Sequence, residues 1–387
     1  MILKIIKYNE HPKKDGEWVL EEFPLGKINL IVGKNATGKS RTIRLLGNFA
    51  KLIAGEMKFN YSSGYYDVLY SDDDNKIEYI LNYEDAKIFR EELMINDEML
   101  LKRGRGGIGK IKAVKLEEQI DFQLPENQLA CVSRRDEIQH PFFEKLYTWG
   151  NTTFTCDFSA DTGRTAKLSA KKEAHVLFDI KDQRFIIDIF QEGINKHKKP
   201  FEKAIIADMH TVGYNIEKAY TTVIPATPNI LLPQFKDIQA LEVIAVKESE
   251  IKKNILQGEM SSGMSRAFSL IIQMNYLIME EKVKLILIDD IGEGLDYERS
   301  VALIKLIIDK VEKNNIQLVM TTNDRHVMNA VPIEYWSVLQ RDGSNAQRCK
   351  IFNYINSKKI FDEFKYTGLT NFDFFKTDFY LKGLEEK

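Results

Sequence analysis

The chain opens with three short segments in which apolar and β-branched residues cluster between polar turns: MILKIIKYNE (1–10), WVLEEF (18–23) and KINLIV (27–32). Runs of that length and composition predict β-strands. The period then changes. In SRTIRLLGNFAKLIAGE (40–56) the apolar residues fall at 43, 45, 46, 49, 50, 52 and 53, which is the spacing of one helix face. From Met57 to about Leu124, tyrosines and β-branched residues alternate with polar ones, predicting an antiparallel meander with KRGRGGIGKIKAVK (102–115) as its most flexible turn. Residues 140 to 225 are less regular and suggest helices around 183–198 and 201–220. No sustained heptad runs through them, which argues against a long coiled coil.

The last third alternates cleanly. LEVIAVKES reads as a strand, SRAFSLIIQMNYLIMEE as a helix, VKLILIDD as a buried strand, YERSVALIKLIIDKVEKNN as a helix and IQLVMTTND as another buried strand. Strands alternating with helices predict a parallel α/β core whose two halves flank the central insertion.

Composition narrows the picture. Of 387 residues, 44% are hydrophobic and 29% charged, as in a soluble globular protein, and the formal net charge is -2. That balance argues against a body coated in positive potential, though not against one local basic patch. Three scattered cysteines without a CxxC suggest a reducing cytoplasm and no structural zinc or disulfide framework. The N-terminus lacks the pattern of a secretory signal, and LILIDDIG is interrupted by two aspartates, so neither export nor a membrane span is expected.

Chemistry concentrates in three stretches. GKNATGKS (33–40) follows an apolar strand, precedes a helix and fits G-x-x-x-x-G-K-[ST] at every fixed position. Backbone N–H groups of Gly33, Asn35, Ala36, Thr37 and Gly38, with the helix start at Ser40 and Arg41, would face phosphate oxygens. Lys39 would reach the β- and γ-phosphates, and Ser40 would give its hydroxyl to Mg²⁺. LILIDDIGEGLD (285–296) is a strand ending in carboxylates. Asp289 suits a Mg²⁺ ligand and Asp290 a water-polarising base, with Glu293 the neighbouring carboxylate that could take that role. GEMSSGMSR (258–266), opening a helix, is by itself compatible with a simple cap.

In that order these stretches resemble the ABC-type ATPases, and more closely their SMC-like and overcoming-lysogenization-defect-like branch of stand-alone bacterial ATPases, whose signature is often S-S-G. The resemblance implies ATP and Mg²⁺ as cofactors. It makes Ser261, Ser262 and Gly263 a signature motif that contacts the γ-phosphate held by a second subunit, and GEGLD a D-loop with Asp296 near the dimer seam. Asn323 occupies the place of the usual switch histidine, and Asp290 that of a more common glutamate; both point to slow turnover. Gln139, in SRRDEIQHPFFEKLYTWG, is the candidate for the Q-loop, against the alternative of a surface helix with an aromatic packing face.

The fold so implied is α/β, an ABC-ATPase-like P-loop core with a mixed, largely parallel sheet, an antiparallel β-subdomain and a helical insertion between Walker A and signature. Residues 1–130 and 235–387 would form the ATPase head and 131–234 a mainly helical insertion. About 220 residues between P-loop and signature (40 to 261) exceed what a transporter ATPase carries. The expected activity is slow ATP hydrolysis in a cytoplasmic homodimer or larger oligomer. By the resemblance it would regulate a separately encoded effector, such as a nuclease, in anti-phage defence. A DNA-repair-type motor and a non-hydrolysing nucleotide-gated scaffold are the alternatives. Lys102, Arg103, Arg105, Lys110, Lys112 and Lys115 offer either a nucleic-acid grip or a solvated hairpin tip, and Lys196, Lys198 and Lys199 a smaller cluster. The aromatic tail YTGLTNFDFFKTDFYL suits core covering or partner docking.

Overall fold

The computed structural model describes residues 1–59, 62–160, 178–225, 240–250, 253–342 and 348–384. Parts of the expected insertion, 161–177 and 226–239, lie outside the described residues. The apolar segments at the N-terminus form β1 (Ile2–Glu10), β2 (Trp18–Pro24) and β3 (Ile28–Val32), and the helical spacing that follows forms α1 (Lys39–Ile53). The alternating stretch folds as β4 (Ser63–Asp72), β5 (Asn75–Glu84), β6 (Lys87–Ile95), β7 (Glu98–Arg103), β8 (Ile108–Ala113) and β9 (Glu118–Gln123). Then come α2 (Ala130–Ser133), α3 (Phe142–Asn151), β10 (Thr153–Asp157), α4 (Ile186–His197), α5 (Lys199–Thr211), β11 (Ile216–Pro225), β12 (Ala240–Glu248) and β13 (Ile255–Leu256). The last third holds α6 (Ser262–Met279), β14 (Leu285–Asp289), α7 (Tyr297–Lys313), β15 (Gln317–Thr321), α8 (Arg325–Ala330), β16 (Trp336–Arg341), β17 (Arg348–Asn353), α9 (Tyr354–Lys365) and α10 (Asn371–Lys376).

The chain divides into two compact units, 1–155 with 284–288 and 315–387, and 156–283 with 289–314. The first is built on a 14-stranded sheet in the order β10-β14-β15-β3-β16-β17-β2-β1-β4-β5-β6-β7-β8-β9. Near-continuous apolar runs sit at its centre because both faces there are covered. All five residues of β3 and of β15 are buried. Parallel pairing runs from β14 to β15, β15 to β3 and β3 to β16, so the carboxyl ends of these strands share one sheet edge. From β4 to β9 the strands pair antiparallel, and β4 and β5 bury alternate residues as the sequence pattern requires. Phe49 of α1 stacks on Tyr66 at 4.7 Å between ring centroids and meets Trp149 of α3 at 6.2 Å. Burying a ring of that size contributes about 2 kcal/mol.

The basic stretch 102–115 is not one mobile turn: it contains the end of β7, a tight turn and all of β8. Arg103 is fully buried. It pairs with Glu91 at 3.2 Å and donates to the carbonyls of Gln128 at 2.5 Å and Pro125 at 2.7 Å. Glu91 also accepts from Tyr79 Oη at 3.0 Å and from the N–H groups of Ala130 and Cys131 at 2.8 and 3.0 Å. A charge so compensated holds the segment after β9 onto the meander and cannot reach a phosphate backbone. In the aromatic tail Phe374 and Tyr380 are buried, Phe374 against Trp336 at 6.5 Å, while Tyr366 and Leu369 are exposed.

In the second unit, α4 and α5 pack on α6, and β11, β12 and β13 form a separate antiparallel sheet. The helix expected over 201–220 stops at Thr211, because Gly213 turns the backbone to φ 89° and releases it into β11. The insertion therefore carries strands as well as helices. Buried Asp208 of α5 and Asn275 of α6 form a triad with half-buried Lys310 of α7: Lys310 Nζ lies 2.8 Å from Asp208 Oδ2 and 2.9 Å from Asn275 Oδ1, and Asn275 Nδ2 lies 2.6 Å from Asp208 Oδ2. Among the described residues, no helix is long and apolar enough to cross a membrane.

Candidate nucleotide-binding site

β3 delivers the chain into GKNATGKS at the carboxyl edge of the sheet. Gly33 admits no side chain, since a Cβ there would stand 2.6 Å from the Leu339 carbonyl oxygen and 2.7 Å from Thr37 Oγ1. Ala36 at φ 61° and Gly38 at φ 107° take left-handed conformations, and the Thr37 N–H between them donates to the Lys34 carbonyl at 3.3 Å. For alanine that conformation costs about 1 kcal/mol, a strain expected where the loop serves a ligand. Thr37 Oγ1 donates to the Lys34 carbonyl at 2.8 Å and closes the loop. Lys39 Nζ donates to the carbonyls of Gly33 at 2.8 Å and Lys34 at 3.3 Å, so its charge is stored across the loop and largely out of solvent. Gly38 at the N-cap offers α1 no side-chain acceptor, leaving the helix start suited to an anion.

A cavity of about 620 Å³ opens here, lined by every residue from Asn35 to Arg41 and by Asn323 after β15. That volume is within the range of small-ligand sites. Four further side chains complete it: Trp18, Arg44, Arg341 and Cys349. Arg41 lies 4.5 Å over the Trp18 ring and pairs with the buried Glu10 at 2.6 Å. Cys349 donates to the Thr37 carbonyl at 3.2 Å, and burial pushes its thiol above the ordinary range. Lys39, Arg41, Arg44 and Arg341 line the cavity and, among the described residues, no carboxylate does. The cradle fits a polyphosphate.

The second unit assembles the other named residues. Asp289 ends β14, and its carbonyl accepts from Phe158 N at 3.0 Å. Asp290 follows at φ 51°, and Gly292 and Gly294 at φ 92° and 79° carry the turn to Asp296, the N-cap of α7. Asp296 Oδ1 accepts from Arg299 N at 3.0 Å and Oδ2 pairs with the Arg299 guanidinium at 2.5 Å; these bonds hold its carboxyl below the usual range. Ser261 caps α6, its Oγ accepting from Met264 N at 3.2 Å. A Cβ on Gly263 would stand 2.6 Å from the Gly294 carbonyl oxygen, and Arg266 Nη1 donates to the Glu293 carbonyl at 3.0 Å. SSGMSR and GEGLD therefore pack directly on each other.

Gln139 does not join the cavity. Its carbonyl accepts from Val114 N at 3.0 Å, beside the meander, while the aromatic face of α3 is buried through Phe143 and Trp149. The strand neighbouring β14 on the far side from β15 is β10, which had no signal beyond a short β-branched run. Among the described residues there is no cluster of three or more His, Cys, Asp or Glu able to hold a metal.

No protein-family model matches the chain, and no curated protein does. Among solved structures it is similar to the SMC head bound to the C-terminal winged-helix domain of ScpA, with a TM-score of 0.51 and 13% identity over 93% of this chain and 100% of that one. The SMC head with an extended coiled coil bound to the C-terminal domain of ScpA from Pyrococcus furiosus aligns at TM-score 0.47 and 11% identity, covering 94% and 99%. The SMC head domain from Thermotoga maritima aligns at 0.45 and 12%, covering 91% and 98%. The fold is SMC-head-like.

Proposed function

We propose that the chain binds Mg-ATP in the cavity of its first unit and hydrolyses it slowly in a homodimer or larger oligomer. The observation that carries this reading is the P-loop cradle itself: four lining cations, no carboxylate lining it among the described residues, and a loop held in left-handed conformations at Ala36 and Gly38. Bound Mg²⁺ would neutralise phosphate charge and polarise the γ-phosphoryl group. Ser40 and Asp289 would hold it, and Lys39 would leave its two carbonyls for the phosphates. Asp290 would take the proton of the attacking water, with Glu293 as the adjacent carboxylate. Asn323, lining the cavity, can hydrogen-bond a phosphate oxygen but cannot carry a proton.

Ser261, Ser262, Gly263 and Asp296 would act on the nucleotide of a partner subunit. Their packing into one surface of the second unit supports a shared presentation. The SMC head that the chain resembles is bound to a separate protein, which supports a separately encoded effector here. An anti-phage role rests on the resemblance carried by the S-S-G signature. Burial of Arg103 in an ion pair weighs against a duplex-gripping motor.

The test is calorimetric titration of Mg-ATP into the parent and Lys39→Ala. Affinity should fall by roughly a hundredfold while the thermal midpoint holds, because the lysine makes charge-assisted contacts and no core packing. Unchanged affinity would reject the site. Phosphate release separates the ATPase from a non-hydrolysing scaffold.

A further inference from the structure

α5 carries a residue that reaches α6 and α7 in their last turns and a turn that reaches both at their starts. Asp208 supplies the first attachment through the triad with Asn275 and Lys310. The second lies six residues on. Tyr214, nearly buried, presents its ring 4.5 Å beneath the Arg299 guanidinium, and its hydroxyl interacts with Ser261. The same guanidinium pairs with Asp296 Oδ2 at 2.5 Å and donates to the Gly213 carbonyl at 3.4 Å, while its buried Nε has no partner. A helix-start ion pair alone would need neither the aromatic face nor a buried unpaired donor, which is costly. Desolvation raises the Tyr214 hydroxyl above its ordinary range and Arg299 draws it part of the way back, as the geometry of a cation over a buried ring requires.

We propose that α5 and its 211–214 turn form a strut that sets Ser261 and Asp296 in register, with Tyr214 and Arg299 as the positioning residues. This rests on the reading of Ser261 and Asp296 as residues acting across subunits. Attachment at two heights fixes the tilt and rotation of α6 and α7 relative to each other, so the signature and D-loop present one surface. β11 begins two residues after Tyr214, and Ile216 N donates to the Tyr214 carbonyl at 2.9 Å. Arg299 and Tyr214 need not touch nucleotide to set that register.

The experiment compares full-length Arg299→Ala, Arg299→Lys, Tyr214→Phe and Ser261→Arg with the parent for Mg-ATP affinity, ATP-driven association, kcat and KM. Arg299→Ala and Tyr214→Phe should leave single-subunit Mg-ATP affinity within about twofold and lower association and kcat by roughly tenfold or more. Arg299→Lys should recover part of the loss, since it keeps the charge toward Asp296 but not the planar stacking. Arg299→Ala combined with Asp296→Ala should be no worse than the worse single variant, as expected of residues acting through one contact. Parental association and kcat in a folded Arg299→Ala overturn the strut, as does a double variant whose losses multiply. If Arg299→Ala does not fold, Tyr214→Phe, which keeps the ring, carries the same expectation and the same refutation. Should Ser261→Arg itself associate and turn over normally, the across-subunit reading fails instead, and the two failures are told apart.

Discussion

Asp290 occupies the left-handed region at φ 51°, where asparagine and aspartate are tolerated better than other side chains. Asp290→Asn should therefore fold with an unchanged thermal midpoint and bind Mg-ATP, yet lose turnover, because an amide cannot accept the water's proton. Phosphate release within about twofold of the parent would move the base role to Glu293. Asp290→Ala should in addition lose at least about 1 kcal/mol of stability in a denaturant titration, since a left-handed backbone disfavours alanine. At this scale the sequence was most informative where contacts are local. Asn35 to Arg41 line the cavity as GKNATGKS predicts, because a loop and the helix after it position each other. Trp18, Arg341 and Cys349 arrive from β2, β16 and β17, whose pairing spans hundreds of residues and leaves no local mark.

Among the elements, the start of α6 is fixed by a close approach. Gly263→Ala would drive a methyl into the Gly294 carbonyl and Leu295, so the D-loop must shift. Association driven by ATP should fall by roughly tenfold while binding to a lone subunit persists, which light scattering and titration together would read. The meander offers a stability test. Glu91→Ala leaves the guanidinium of Arg103 buried and uncompensated, and should cost about 3 to 5 kcal/mol in chemical denaturation. Lys102→Ala, at an exposed position of the same basic stretch, should change stability by less than about 0.5 kcal/mol. The six cations of 102–115 look alike in sequence because burial is decided by which strand face each occupies. Arg103 falls on the inward face of β7. The expected helix over 201–220 failed for a related reason: Gly213 was a weak signal inside an otherwise helical composition, and the strand after it is defined by its pairing with β12.

For the molecule as a whole, the alternation of strands and helices at both ends foretold the parallel centre of the sheet and the meander at its flank. The order of the 14 strands was not legible, since β10, β16 and β17 are short and carry little pattern of their own. Nor was the division of the chain. The second unit is drawn from two separate stretches, 156–283 and 289–314, with residues 284–288, which hold all of β14 but Asp289, belonging to the first. Expressing 156–283 alone would leave Asp208 and Asn275 buried without Lys310, and should give a fragment without a cooperative melt. The smallest transferable cassette would join the two stretches by a short linker in place of 284–288, keeping α7 and its triad. In evolutionary terms the insertion is therefore no module that can be swapped by a single recombination: a new version must bring its own D-loop helix, or fit the one already there.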